Sequence, residues 1–258
     1  MILGVSSSGL SQLYRQQTTD YTKQLEQIAS GKRFTKPSDD FAGYAKLRAA
    51  EGSLAGYQRV NDDLVKGKEF SSAASAVGNE AYKGLLELKQ MAEDYTNAST
   101  DEKAQLSTAF DKKLGSLTEL FSSNAKIDGT SMNAYIVNVN PSDPGPTGSN
   151  LTLNLTDPTG EDEWDDIDIT DVATINDALK TVATYTAEAD AFTAQTDRQL
   201  TINQNIIAAK ENTVAAIGSI DEVSAIGKAT ALQVRQQATI AMASQANLSQ
   251  LNLARLFS

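Results

Sequence analysis

The residues of this chain best placed to do chemistry lie in one short stretch, SGKRFTKPSDDFAGYAKLR, Ser30 to Arg48. Lys32, Arg33 and Lys36 follow Gly31, and Pro37-Ser38-Asp39-Asp40 precedes a run of helical character that includes Gly43. Three kinds of chemistry fit such residues: a phosphate-binding loop, a catalytic carboxylate pair, or a joint between two helices. A phosphate loop needs the upstream glycine of GxxxxGK[ST] and a strand before it, and Gly31-Lys32-Arg33 has neither. Adjacent helical residues point about 100° apart, so Asp39 and Asp40 would not bring both carboxylates to one substrate. The joint remains. In that reading Ser38 is the N-cap of the following helix, and Asp39 and Asp40 sit in its first turn, where carboxylates complement the positive helix end.

Composition narrows the chemistry further. The chain has no His and no Cys, which removes Ser-His-Asp and Cys-His nucleophiles, thiol redox work and the usual zinc ligands. It also removes disulfides, so cysteine usage does not reveal the compartment. A second ionisable cluster lies further on: Asp157, Glu161, Asp162, Glu163, Asp165, Asp166, Asp168 and Asp171. It lacks the DxDxDG ligand pattern of a calcium loop and reads as a solvated outer loop, with Trp164 as a strand or core anchor. No catalytic, cofactor or metal site is expected, and the chain is not expected to be an enzyme. The formal net charge of −11 opposes nucleic-acid binding, which calls for a basic face. No apolar run approaches the ~20 residues that insertion across a membrane requires. Met1 to Leu13 lacks the basic and apolar regions of a cleaved secretory signal.

The elements that must position these residues follow from proline and periodicity. Four of the five prolines, Pro141, Pro144, Pro146 and Pro158, fall in the middle, leaving long flanks almost free of helix breakers. The first helix carries Leu10, Leu13, Tyr21, Leu25 and Ile28 on one face and ends at Gly31. The next runs from Pro37 towards Asn97, with heptad spacing at Ala74, Val77, Ala81, Leu88, Met91 and Tyr95. Six glycines from Gly43 to Gly84 count against its continuity, each costing about 1 kcal/mol relative to Ala. Ser99-Thr-Asp-Glu102 is a capping box opening a helix with Leu106, Phe110, Leu114, Leu117 and Phe121 on one face. In the middle, Tyr135 to Asn140 and Asn150 to Leu155 alternate at period two about the turn PSDPGPTGS, predicting a hairpin, with Trp164 to Ile169 as a third short strand. Ile175, Leu179, Val182, Ala189, Phe192, Ile206, Ile217 and Ile220 mark another long helix. The fold expected is mainly α, a long antiparallel helical rod or coiled-coil bundle with a small β-hairpin region in its middle.

The last segment is unusual. Gln236 to Ala254 carries no charge, yet Gln, Asn, Ser and Thr fill nine of its nineteen positions. In and just before this segment Ala229, Leu232, Ile240, Ala243, Leu248 and Leu251 need a partner surface, which points to a helix buried among helices, including those of neighbouring subunits.

At this point the residues resemble a known family, the bacterial flagellins. LEQIASGKRFTKPSDDFAG, Leu25 to Gly43, looks like the flagellin signature, whose usual form is close to LSSGLRINSAKDDAAG. Ser30-Gly31, Arg33, Asp39-Asp40 and Gly43 fall in register, and the likeness continues through Asn61-Asp62 and Leu85 to Ala92. QVRQQATIAMASQANLSQLNLARLF, Gln233 to Phe257, is similar to the flagellin C-terminal pattern. The likeness covers roughly half of the chain, its two ends. Three departures stand beside it. Ser219-Ile220-Asp221-Glu222 is all that remains of the RIxDxDxA pattern, Glu87 and Lys89 replace two arginines of the epitope for a Toll-like receptor, and the outer region is very small.

The resemblance implies five segments: an N-terminal inner-tube helix (1–31), the first part of a helical core domain with a spoke (32–128), a small variable outer β region (129–170), the second part of the core domain (171–222) and a C-terminal inner-tube helix (223–258). It implies a structural subunit that self-assembles into the flagellar filament for swimming motility, outside the cell, after unfolded export by the flagellar type III system. Implied partners are further copies of the chain, the export machinery, a secretion chaperone and the filament cap. A hook–filament junction protein is the alternative of the same class. Other classes are an enzyme on a flagellin frame, for which the HExxH of inserted metalloproteases is absent, and an intracellular coiled-coil signalling rod.

Overall fold

A computed structural model describes residues 7–123, 126–127, 130–142, 150–160 and 162–256. Most of them are helical. In chain order the elements are α1 (Ser7–Ser30), α2 (Phe41–Asn97), α3 (Thr100–Ser123), short strands β1 (Lys126–Ile127) and β2 (Thr130–Ser131), β3 (Ala134–Asn138), β4 (Asn150–Asn154), a 3-10 turn at Pro158–Gly160, the one-turn α4 (Asp162–Asp165), α5 (Val172–Gly218) and α6 (Glu222–Leu256). No described helix is long and apolar enough to cross a membrane. The chain divides into two compact units: residues 1–52 with 210–258, and residues 53–209.

The second unit has a continuous apolar core. From α2 come Val60, Leu64, Ala74, Ala81, Leu85, Leu88 and Ala92, and from α3 Phe110, Leu117 and Phe121. Ile175, Val182, Tyr185, Ala189 and Phe192 of α5 complete the helical part. Met91, Tyr95 and Leu106 are half-buried against it. α2 runs unbroken for 57 residues, so its glycines do not interrupt it. Three of them sit where other parts of the unit come close: a Cβ at Gly67 would meet Val137, one at Gly78 Thr186, and one at Gly84 Leu117. The propensity cost is offset by packing that any side chain there would prevent. Glu102 performs half of the expected capping box, accepting from the Ser99 N–H at 2.8 Å, while the Ser99 hydroxyl donates to the same carboxylate at 2.7 Å.

β3 and β4 pair antiparallel, with Tyr135 opposite Leu153 and Val137 opposite Leu151. Strand alternation sends these side chains to the helices: Val137 and Leu153 are fully buried, and the Tyr135 ring stacks on Phe70 at 4.3 Å. The hairpin turn falls partly outside the described residues, at 143–149. The third strand expected at Trp164 to Ile169 does not form. A helical turn stands at its start, and Asp168 then accepts hydrogen bonds from the Thr170 N–H and hydroxyl at 2.7 and 2.6 Å, closing a tight turn that satisfies the backbone without a neighbouring strand. Trp164 is nevertheless an anchor: it is buried, donates to the Thr118 hydroxyl at 3.0 Å and meets Phe121 edge to face.

Candidate functional site

In the first unit α1 ends at Ser30, and Gly31 follows with φ at +65°, the left-handed conformation that glycine adopts without penalty after a helix. Gly31 donates to the Ile28 carbonyl at 3.3 Å. The chain then runs antiparallel to the turn between α5 and α6. Arg33 N–H donates to the Gly218 carbonyl at 2.7 Å, Ile220 N–H donates to the Gly31 carbonyl at 3.2 Å, and Lys32 pairs with Ser219. The buried Gln27 amide braces this bridge by donating to the Arg33 carbonyl at 2.6 Å. Ser30 closes the last turn of α1 on the Gln27 carbonyl. So the expected joint exists as a short two-stranded clasp tying the N-terminal loop to the C-terminal one.

The two aspartates have separate tasks, and neither is the one expected. Asp40, not Ser38, caps α2: its carboxylate accepts from the Gly43 N–H at 3.0 Å, and its carbonyl begins the helical ladder at Tyr44. Ser38 is exposed two residues too early, because the helix starts at Phe41. Asp39 turns back instead of entering the first turn. One oxygen accepts from Thr35 N–H, the Thr35 hydroxyl and Lys36 N–H, all at 2.9 Å, and the other meets Lys23 of α1 at 3.1 Å. Burial opposes ionisation of this carboxyl. The Lys36 N–H, the Lys23 ammonium and the Thr35 donors outweigh it and hold the pKa far below the carboxylate range. Phe34 is buried against Gly43, where a Cβ would overlap its ring, and the Arg33 guanidinium lies 5.3 Å from the same ring. Both Asp39 oxygens are occupied, and Asp40 holds the start of α2. The arrangement holds chain segments together.

Beside the clasp, α1 and α6 run antiparallel, and their seam inverts the usual distribution. On α6 the inward stripe is Ala225, Ala229, Leu232, Gln236, Thr239, Ala243 and Ala246, a four-three repeat that is small or polar except at Leu232. Thr239 is buried and donates to Gln17 at 3.1 Å, and Gln236 donates to Thr18 at 3.4 Å. Leu10 is buried on α1, and Tyr21 and Ile28 are half-buried. The large aliphatic side chains face outward: Leu13 and Leu25 on α1, and Ile226, Val234, Ile240, Met242 and Leu248 on α6. Ile240 is 52% exposed and Leu248 61%. The single apolar face expected for α1 is therefore split, with Leu13 and Leu25 turned away from Leu10, Tyr21 and Ile28. The Leu251 side chain lies outside the described residues.

Sequence reasoning grouped Ser30, Gly31, Arg33, Ser38, Asp39, Asp40 and Gly43; in the structure Ser30, Gly31 and Arg33 shape the bridge, Asp39 and Asp40 hold the loop and the start of α2, Gly43 packs on Phe34, and Ser38 is exposed. It missed Gln27, Phe34 and Lys23, which brace that joint; the family likeness had singled out Ser219-Ile220-Asp221-Glu222, and Ser219 and Ile220 lie in the turn that it clasps. The four-three spacing of small residues in α6 could have disclosed the seam. Among the described residues no group of three or more acidic side chains is placed to hold a metal. No protein-family model matches the chain, and no curated protein matches it significantly.

Proposed function

We propose that this chain is a structural subunit of the flagellin kind, which self-assembles into a bacterial flagellar filament outside the cell. One observation carries the reading: α6 turns a mainly small and polar stripe inward, and α1 and α6 leave Leu13, Leu25, Ile226, Val234, Ile240, Met242 and Leu248 exposed. Water disfavours such a surface by about 25 cal/mol per Å² of apolar area, and contiguous exposed patches mark contact sites. Repeated copies of the chain, packed side by side, would cover it. In this reading the N- and C-terminal chains form one antiparallel helical rod, with α1 and α6 in an inner tube, the clasp as the spoke, and the hairpin on the outer side. The chain is not an enzyme; its partners are its own copies, with an export system, a chaperone and a cap implied by the family likeness. The cysteine-free composition suits passage as an unfolded chain.

Electron microscopy of the purified protein under assembly conditions tests this directly. Long helical filaments are the expected outcome. A sample that stays monomeric in salt, precipitant and seeded conditions sinks the proposal, and caps or short stacks alone would favour the junction protein. Fractionated cells should hold the chain in the sheared extracellular fraction; a cytoplasmic pool alone would favour the signalling rod.

A further inference from the structure

A cleft of about 640 Å³ opens beside the clasp, lined among others by Lys23, Arg33, Asp39, Asp40, Asp221 and Lys228. Its three acids and three cations balance formally but not locally. Asp39 is saturated by Lys23, Thr35 and Lys36. Asp40 caps α2 through the Gly43 N–H, and Asp221 caps α6 through the Ser224 N–H at 3.1 Å. Each capping carboxylate is offset by the positive end of the helix that it caps. Lys23 is committed to Asp39. Arg33 has the Phe34 ring beneath it, and neither Arg33 nor Lys228 makes an ion pair among the described residues. Both are exposed. Two uncommitted cations therefore face one cleft in a protein that carries 33 acidic residues against 22 basic ones.

We propose that this cleft receives acidic side chains from a second copy of the chain, a reading that rests on the assembly proposed above and names the chemistry of one of its contacts. The acid excess makes the surface of a second copy the complementary partner, and it disfavours nucleic acid or an anionic membrane by long-range repulsion. The cleft is also formed by α1 and α6, whose outward aliphatic side chains await cover, so the ionic contact continues the apolar one. Charge at such a rim fixes register and speeds encounter more than it adds affinity.

The test uses the full chain with Arg33→Gln, Lys228→Gln and both together. The Arg33 backbone bonds to Gly218 and Gln27 survive the first change, and Lys228 has no described partner to lose. The double variant should raise the critical concentration for assembly about tenfold at low salt, with unchanged monomer helicity by circular dichroism. Added salt should close the gap between variant and wild type, because screening removes the same contact. Arg33→Lys should keep most of the assembly. A double variant that matches the wild type in critical concentration and salt response overturns the cleft proposal alone. A wild type that never assembles overturns the assembly reading with it. A difference that persists unchanged at high salt also overturns the proposal, since the contact would then not be ionic.

Discussion

The two compact units are built from the same kind of element and reach opposite solutions. In residues 53–209 the large side chains point inward. Phe121 meets Trp164 and Tyr185 edge to face at 5.6 and 5.4 Å, and the hairpin closes over Gly67 and Phe70. In residues 1–52 and 210–258 the α6 side of the seam is alanine, glutamine and threonine apart from Leu232, while Leu13, Leu25, Ile240 and Leu248 are exposed. Aromatic pairs in a closed core add to burial and specify one packing; a seam of methyls and amides buries little. The first arrangement covers its own apolar side chains, and in the assembly proposed above the second has them covered by neighbouring copies. The comparison shows that helix content is no measure of self-sufficiency.

The largest expected effect breaks the open unit outright. Deleting Gln236 to Ser258 removes most of the seam and its outward aliphatic face. The truncated chain should remain a soluble, helical monomer with an unchanged main thermal transition and form no filaments; long filaments from it would refute the role given to α6. Hydrogen exchange on the intact monomer sharpens the same point. Amides of α1 and α6 should exchange well before those of α3 and the α5 stretch from Ile175 to Phe192, and become protected on assembly. Equal protection throughout the dilute monomer would erase the distinction.

Phe121→Ala attacks the closed unit. Phe121 is 1% exposed, and its removal leaves a cavity among Trp164, Tyr185 and Leu117, costing about 3–5 kcal/mol. Denaturant unfolding should show that loss; a change below about 1 kcal/mol would mean that the core relaxes around it.

The units should also fail at opposite ends of the pH scale. Tyr185 donates to Asn133 at 3.0 Å, and burial, then the nearby Asp157 charge, pushes its pKa up to about 12. A raised folded value means that the unfolded chain loses its proton first. The contribution is complete below about pH 10, the ordinary tyrosine value, and is lost as pH rises from there towards 12. Asp39 has the reverse sign. Its depressed pKa stabilises the clasp above the ordinary carboxylate value, and that contribution fades as pH falls below about 4. Unfolding followed by Trp164 fluorescence should respond to alkali, and Tyr185→Phe should blunt that response. Exchange in the clasp should respond to acid, and Asp39→Asn should blunt it. A clasp indifferent to acid would show that Asp39 is not what secures it.

Smaller effects remain. Asp40→Ala removes the α2 cap and should cost about 1 kcal/mol, whereas Ser38→Ala should cost almost nothing. Equal costs would return the cap to Ser38. Ile240→Ala should change monomer stability by no more than about 0.5 kcal/mol, as for an ordinary surface site. It should still raise the critical concentration several-fold, because the side chain is buried only on assembly. Loss of monomer stability instead would place Ile240 inside the unit.

Local chemistry was legible along much of the chain. Gly31 after α1, Glu102 opposite Ser99 and the period-two alternation of both strands each act over a few residues, so their consequences could be read directly. The absence of His and Cys likewise settled which chemistries the chain lacks the groups to perform. The helix start was misplaced by a few residues, because Ser38, Asp39 and Asp40 all have capping side chains; the fold selected Asp40 by drawing Asp39 back to Thr35, Lys36 and Lys23. Trp164 to Ile169 looked like a strand, yet a strand needs a neighbour, and among the described residues none pairs with it as a strand. Whether the glycines of α2 weaken it could not be decided within α2, since Val137, Thr186 and Leu117 come from elsewhere in the chain. The direction of Leu13 and Leu25 depended on which stripe α6 would occupy. Periodicity determines that a helix has faces; only the packing of one helix on another determines which face is covered, because that choice is made by residues far apart in sequence.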